Sequence, residues 1–178
     1  MKSSRFISII CLSVVFGFCA DLPAQTIRIG TTSGRQGQTI SLPVTLTATS
    51  SHTAALVRVQ YDTAVLENVG VAAGALLSTG HAVESNAPAA GRFNIAAYAP
   101  SGMPSFTAKS GTLFNLTFRI RPTAPAGTSA ITFTTVGTPA LPSADLVGIT
   151  GGVVTPTATA GSVTVGLAGV TQPWPAYE

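Results

Sequence analysis

Side chains able to act in acid–base or metal chemistry are few in this sequence. It has two histidines and six carboxylates among 178 residues. The carboxylates that lie beyond residue 24 are Asp62, Glu67, Glu84, Asp145 and Glu178. Glycoside hydrolysis needs two carboxylates about 5–10 Å apart, one on either side of the scissile bond. Glu67 and Glu84 could meet across strands, but no motif brings them together, so the sequence predicts no catalytic pair.

Metal and nucleophile chemistry have no better support. His52 and His81 show neither the His-x-x-x-His nor the HExxH spacing of zinc sites, and both cysteines lie within the first 24 residues. No Gly-x-Ser-x-Gly motif marks a nucleophilic serine. We interpret both histidines as exposed loop residues and Asp145 as a turn residue. The sequence therefore predicts no catalytic residue, no metal site and no cofactor, and so a protein that is not an enzyme.

The first 24 residues have the pattern of a secretory signal peptide. Lys2 and Arg5 form a positive start, a short apolar run follows, and Ala24 supplies a small residue before the cleavage point. Cleavage after Ala20 and an uncleaved membrane anchor are the alternatives, although the run is too short to span a bilayer comfortably. The predicted segments are a signal peptide at 1–24, one domain at 25–166 and a flexible tail at 167–178.

Composition narrows the class of protein further. Only 8% of residues are charged, against about 25% in typical domains, while the 46% hydrophobic content argues against disorder. The formal net charge is +3, and no basic cluster remains beyond the leader, so no nucleic-acid partner is predicted. With the signal peptide, these features predict a secreted protein, either extracellular or periplasmic.

The elements that must position any functional residue are short strands. The clearest alternation of apolar and polar side chains runs through residues 53–61, and Asp62 follows as a turn residue able to bond backbone N–H groups. A second alternating stretch covers residues 92–98. Further strands are predicted at 26–29, 39–47, 66–71, 81–84, 112–121, 131–134 and 161–166, with turns at 33–38 and 122–127. Pro43 favours an edge strand or a bulge. Many short strands between turn signals predict an all-β sandwich or jelly roll.

The order of these features resembles a known family, the bacterial cohesin domain. The resemblance rests on TISLPVTL at 39–46, VRVQYDTAVLENVGV at 57–71, GRFNIAAY at 91–98, GTLFNLTFRI at 111–120, APAGTSAITF at 124–133 and GSVTV at 161–165. It covers residues 26–166, and its most specific parts are the Tyr61-Asp62 corner and the start and end of the later strands. The resemblance implies a nine-stranded jelly-roll β-sandwich.

The resemblance also implies a function, which is binding of a dockerin module through one sheet face. Family members often carry polar residues on the strand before the Tyr-Asp corner, whereas this chain has Ala54 and Leu56 there. The partner-binding residues that the resemblance implies are Ala54, Leu56, Arg58, Gln60, Arg92, Asn94 and Tyr98. We expect a secreted, non-catalytic module that binds a dockerin-like or other extracellular protein, in the setting of polysaccharide degradation. The alternatives are direct carbohydrate binding and a structural surface or adhesin role.

Overall fold

The computed structural model describes residues 25–77, 80–100, 105–106, 110–135 and 142–167. These residues form thirteen β-strands and no helix. The strands are β1 (Thr26–Ile29), β2 (Thr31–Arg35), β3 (Thr39–Thr47), β4 (His52–Tyr61), β5 (Leu66–Ala73), β6 (Ala82–Ala89), β7 (Arg92–Tyr98), β8 (Ser110–Ile120), β9 (Gly127–Phe133), β10 (Ala144–Gly148), β11 (Val153–Val154), β12 (Thr157–Thr159) and β13 (Gly161–Gly166). The all-β class predicted from the sequence is confirmed.

The strands form two sheets that enclose one core. The five-stranded sheet has the order β12-β1-β3-β8-β5. The eight-stranded sheet has the order β11-β10-β4-β9-β13-β2, and β7 and β6 extend it from the other edge of β4. Strand β4 therefore pairs with β7 on one side and, on the other, with β10 along its first half and β9 along its second half. This central position makes β4 the strand that organises the larger sheet.

The core forms because inward-facing positions on both sheets are apolar. On β4 the buried residues include Val57 and Val59, and on β7 they include Ile95, each with no exposed surface. Phe114 and Phe118 of β8 fill the opposite layer and are equally buried. Burial of a large aliphatic or aromatic side chain contributes about 1.5–3 kcal/mol, so the two alternating faces supply the main driving force for the sandwich.

A rigid corner ends β4. The Asp62 carboxylate accepts a hydrogen bond from the backbone N–H of Ala64 at 2.8 Å, as the turn prediction required. The Tyr61 N–H donates to the carbonyl of Gly91 at 2.9 Å, and the Tyr61 ring packs edge-on against Phe118 with centroids 5.0 Å apart. Gly91 has a φ of +70°, and a Cβ there would lie 2.6 Å from the Tyr61 carbonyl oxygen. The start of β7 is thus fixed against the end of β4.

The structure corrects several details of the sequence prediction. The count of nine strands is wrong, because the described residues contain thirteen. Residues 33–38 are not one turn, since β2 continues to Arg35 by pairing in parallel with β13. Of the two alternatives for Pro43, the edge strand is wrong, because β3 lies between β1 and β8, whereas a bulge is confirmed by the register shift between Val44 and Thr45 beside the proline. The Pro43 carbonyl accepts a hydrogen bond from the Gly30 N–H at 2.8 Å.

The predicted signal peptide, and residues 168–178 of the predicted tail, lie outside the described residues. Both segments therefore stay predictions. Within the described ranges, no helix is long and apolar enough to cross a membrane.

Candidate partner-binding face

The sequence-predicted site residues lie together on the outer face of the eight-stranded sheet. Strands β4 and β7 are antiparallel neighbours. In their register, six of the predicted residues lie directly opposite one another, and Leu56 lies opposite Ala96. The cross-strand pairs are Ala54–Tyr98, Leu56–Ala96, Arg58–Asn94 and Gln60–Arg92. Directly opposed side chains on one face have Cβ atoms about 4.5–5.5 Å apart, so these eight residues form one continuous patch across two strands.

Exposure differs along this patch. Gln60 and Arg92 at its far end are exposed, and Tyr98 at the near end is 36% exposed. Ala54, Leu56, Asn94 and Ala96 are half-buried. The patch is therefore apolar near the start of β4 and polar near its end.

Arg58 departs from the outward-facing role expected of it. The side chain is only 8% exposed, because the segment that leads into β10 covers it. Its guanidinium donates to the carbonyl of Pro142 and lies 3.6 Å from the Asp145 carboxylate. The backbone N–H of Arg58 donates to the Ser143 carbonyl at 2.9 Å. Arg58 therefore holds the β10 segment in place and offers little surface to a partner.

Asp145 is also not the turn residue that the sequence suggested. It lies in β10 opposite Leu56, on the outer face of the sheet. Its side chain is 19% exposed and is paired with Arg58. Its other carboxylate oxygen accepts from the Thr155 hydroxyl at 3.4 Å. The pair largely neutralises the charge on this flank of the face.

An apolar groove runs along the near half of the face. We define the apolar groove by its outward residues, which are Ala54, Leu56, Ala96, Tyr98, Val147 and Val153. It encloses about 350 Å³. Val153 of β11 is 65% exposed, and Val147 of β10 pairs with it. The sequence prediction missed both valines because β10 and β11 are too short to show a periodic pattern.

A polar depression lies on the other side of β7. We define the polar depression by its polar lining residues, which are Glu84, Ser85, Asn86 and Asn94. It encloses about 330 Å³ and shares Leu56 and Ala96 with the apolar groove. The Tyr98 hydroxyl donates to the Glu84 carboxylate at 2.7 Å, and this hydrogen bond raises the pKa of Tyr98 above its ordinary value. Tyr98 therefore connects the side chains that line the two hollows.

Neither histidine is the exposed loop residue expected from the sequence. His52 is the first residue of β4 and is 1% exposed, and its carbonyl accepts from the Phe106 N–H at 2.8 Å. Burial lowers the pKa of His52, partly offset by a backbone hydrogen bond with Ser50. His81 is half-buried and packs its ring against Phe106 with centroids 5.7 Å apart. Both histidines therefore belong to the packing around Phe106.

The carboxylates do not converge on a catalytic or metal-binding arrangement. Glu67 lies on β5 in the five-stranded sheet, whereas Glu84 lies on β6 in the eight-stranded sheet. In the part of the chain that the structure describes, no three histidine, cysteine or acidic side chains group closely enough to hold a metal ion. The chemistry that this face offers is noncovalent contact, through the apolar groove and the polar depression.

Several solved structures share this fold. The sixth cohesin of scaffoldin B from Acetivibrio cellulolyticus, solved with a mutant Cel5 dockerin, is 20% identical with a TM-score of 0.69, over 80% of this chain and 99% of that chain. The seventh ScaB type I cohesin from Pseudobacteroides cellulosolvens is 18% identical with a TM-score of 0.68, over 87% and 98% of the two chains. A non-cellulosomal cohesin from the archaeon Archaeoglobus fulgidus is 20% identical with a TM-score of 0.62, over 80% and 91%.

The family is assigned from the sequence itself. A search of curated proteins gave no match. A family model described as the cohesin domain, however, matches residues 25–165, which is most of the chain. The matched range contains both sheets, the Tyr61-Asp62 corner and the face described above. This chain therefore belongs to the cohesin domain family.

Proposed function

We propose that this cohesin domain is an exported, non-catalytic module that binds a dockerin-like protein through the outer face of its eight-stranded sheet. The observation that carries the proposal is the apolar groove beside Leu56, on a face that β4 and β7 share. Protein interfaces have an apolar core and a polar rim. The groove with Gln60, Arg92 and Asn94 beyond it has that arrangement.

The relatives support the dockerin part of the proposal. The cohesin from Acetivibrio cellulolyticus was solved in a complex with a dockerin, and so was another from Clostridium thermocellum. The archaeal relative is described as non-cellulosomal, so family membership is compatible with partners outside cellulosomes. We therefore propose a dockerin-like module as the partner, and polysaccharide degradation as the setting only if that module is joined to a hydrolase.

Direct carbohydrate binding is the second function considered from the sequence. Sugar-binding platforms on flat sheets use aromatic rings, whose faces stack against the sugar. Among the described residues, Tyr98 is the one aromatic side chain with a large exposed surface. A single ring gives little support for a platform, so carbohydrate binding is an outcome to be tested and not a second proposal.

The test is capture of calcium-loaded dockerins by the immobilised full chain. The panel includes the Cel5 dockerin seen with the Acetivibrio relative, and calcium is removed with a chelator in a parallel run because the dockerin, and not this chain, is expected to bind the metal. We expect retention that calcium removal abolishes. The Leu56→Asp variant should lose binding on the order of a hundredfold, because it buries an unpaired charge in the interface.

The matched control is Ser41→Asp, which adds the same charge at an exposed position on the outer face of the five-stranded sheet. It should bind like the unaltered chain. Cellulose and xylan pull-downs run beside the capture assay. Retention on either polysaccharide that is lost in Tyr98→Ala, together with no retention of any dockerin, would overturn the proposal in favour of carbohydrate binding.

A further inference from the structure

The two hollows on the outer face differ in chemistry and lie side by side. Strand register places Glu84, Ala96, Leu56 and Asp145 in one row across β6, β7, β4 and β10. Three strand spacings separate the two carboxylates, which is about 14 Å. Apolar side chains therefore occupy the middle of the row, and an acidic side chain stands at each end.

The two acidic ends are not equivalent. Asp145 is paired with the buried Arg58 and is only 19% exposed. Glu84 is exposed, and its carboxylate accepts a hydrogen bond from Tyr98, which is a neutral group. The remaining polar residues of the depression are Ser85, Asn86 and Asn94, none of which carries a charge. Among the residues that the structure describes, the depression therefore has one negative charge without a paired cation and several oxygen acceptors.

Within the described ranges, the exposed positive charge on this face lies away from the polar depression. Arg92 is exposed, but the register places it opposite Gln60, at the other end of β7 from the Tyr98–Ala54 pair. Ala96 lies four positions after Arg92, which is about 13 Å along a strand. Arg92 therefore lies away from Glu84, at the polar end of the patch.

From this charge pattern we propose the chemistry of the partner. The occupant of the apolar groove is a protein surface with a ridge of aliphatic side chains and, beside that ridge, one Lys or Arg that enters the polar depression and pairs with Glu84. This inference rests on the proposed function, since it describes a partner at the same face. The aliphatic ridge supplies the binding free energy through apolar burial, while the single cation sets the orientation of the partner on the sheet.

The Tyr98–Glu84 hydrogen bond prepares the face for that cation. A carboxylate has about four lone-pair sites, so accepting one bond from Tyr98 leaves capacity for a Lys or Arg. The same bond restrains the Tyr98 ring at the edge of the groove. Ring and carboxylate are therefore both held in place before the partner arrives, which lowers the entropy cost of binding.

The experiment is selection of binders from a phage-displayed library of a small helical scaffold with one randomised face. The immobilised full chain should enrich aliphatic residues next to a Lys or Arg. On the Glu84→Lys variant the preference at the charged position should reverse to Asp or Glu, and binders selected on the unaltered chain should lose about three- to tenfold in affinity. Glu67→Lys, the same change on β5 of the other sheet, should leave the selection unchanged.

Three results would overturn the inference. The first is enrichment of polar or acidic ridges, or enrichment of aliphatic ridges no stronger than on the Val153→Asp variant. Val153 is exposed, so that substitution places a charge in the groove without disturbing the core. The second is a charge preference that Glu84→Lys leaves unchanged. The third is a concentration-dependent dimer in sedimentation that Val153→Asp dissociates, which would assign the groove to a second copy of this chain.

This experiment can fail independently of the dockerin assay. Dockerin capture without the ridge-and-cation preference leaves the proposed function in place and removes only the partner chemistry. The expected selection without capture of any dockerin keeps the partner chemistry and rejects the dockerin assignment.

Discussion

The Arg58 side chain gives the sharpest structural prediction, because the fold gives it a positioning role where the sequence suggested a contact. We consider the Arg58→Met variant, which keeps a long apolar stem in the same space. The change removes a charged hydrogen bond to the Pro142 carbonyl, a type of bond that contributes about 1.5–3 kcal/mol. It also leaves Asp145 without its cation.

The second contribution is smaller than for a fully buried pair. Breaking a buried ion pair costs about 3–5 kcal/mol, but the Asp145 side chain is 19% exposed, and its separation from Arg58 is 3.6 Å. We therefore assign about 1 kcal/mol to the pair. Together the two contributions predict a loss of about 2.5–4 kcal/mol in the free energy of unfolding, and a Tm lower by about 5–15 °C.

A double-mutant cycle by urea denaturation tests these magnitudes. In the Asp145→Asn background, Arg58→Met should cost about 1 kcal/mol less than in the unaltered chain. Arg92→Met, which removes an exposed arginine from the neighbouring strand of the same face, should change stability by less than about 0.5 kcal/mol. If Arg58→Met costs no more than Arg92→Met, or if the cycle is additive, the positioning role is refuted.

Three further predictions concern the frame of the face and are checked by thermal and chemical denaturation. Because burial lowers the folded-state pKa of His52, the unfolded chain takes up a proton first as the pH falls through about 6.5. The free energy of unfolding should therefore decline below that pH and level off above it. His52→Gln should flatten this slope, and an unchanged slope would contradict the role given to His52. Gly91→Ala should lower the free energy of unfolding more than Gly37→Ala does. Both glycines have positive φ, but only at Gly91 would the added Cβ meet a carbonyl oxygen. Equal losses of about 1–2 kcal/mol, the amount expected from backbone strain alone, would show that the contact relaxes freely. Asp62→Ala should lower stability by about 1 kcal/mol through loss of the turn hydrogen bond to Ala64, and a neutral result would mean that the corner holds without it.

Local patterns in the sequence were sufficient for much of the fold. The alternation in residues 53–61 and 92–98 correctly separated the buried Val57 and Ile95 from the outer residues. The chemistry of Asp62 identified the turn that ends β4. These features depend on neighbours along the chain, which is why a single sequence could reveal them.

What the sequence did not reveal depends on contacts between distant segments. Arg58 is buried by residues 84 positions away, and nothing in its own strand indicates that cover. His52 is buried beside Phe106, and the sequence around Phe106 has no alternation of apolar and polar residues that would reveal this contact. Strand β2 looks like a turn because it is short and polar, and it forms through parallel pairing with β13. The predicted set of partner-binding residues was incomplete for the same reason, since Val147 and Val153 of the apolar groove come from β10 and β11.

The proposed binding of a dockerin-like partner to the outer face of the eight-stranded sheet can be tested residue by residue. The most direct measurement is backbone amide NMR of the full chain during titration with a calcium-loaded dockerin from the capture panel. We expect shifts concentrated in β4, β7 and β10, centred on Leu56 and Ala96, with β3 and β8 unchanged. Shifts centred on β3 and β8, or no shifts with any dockerin in the panel, would contradict the proposal.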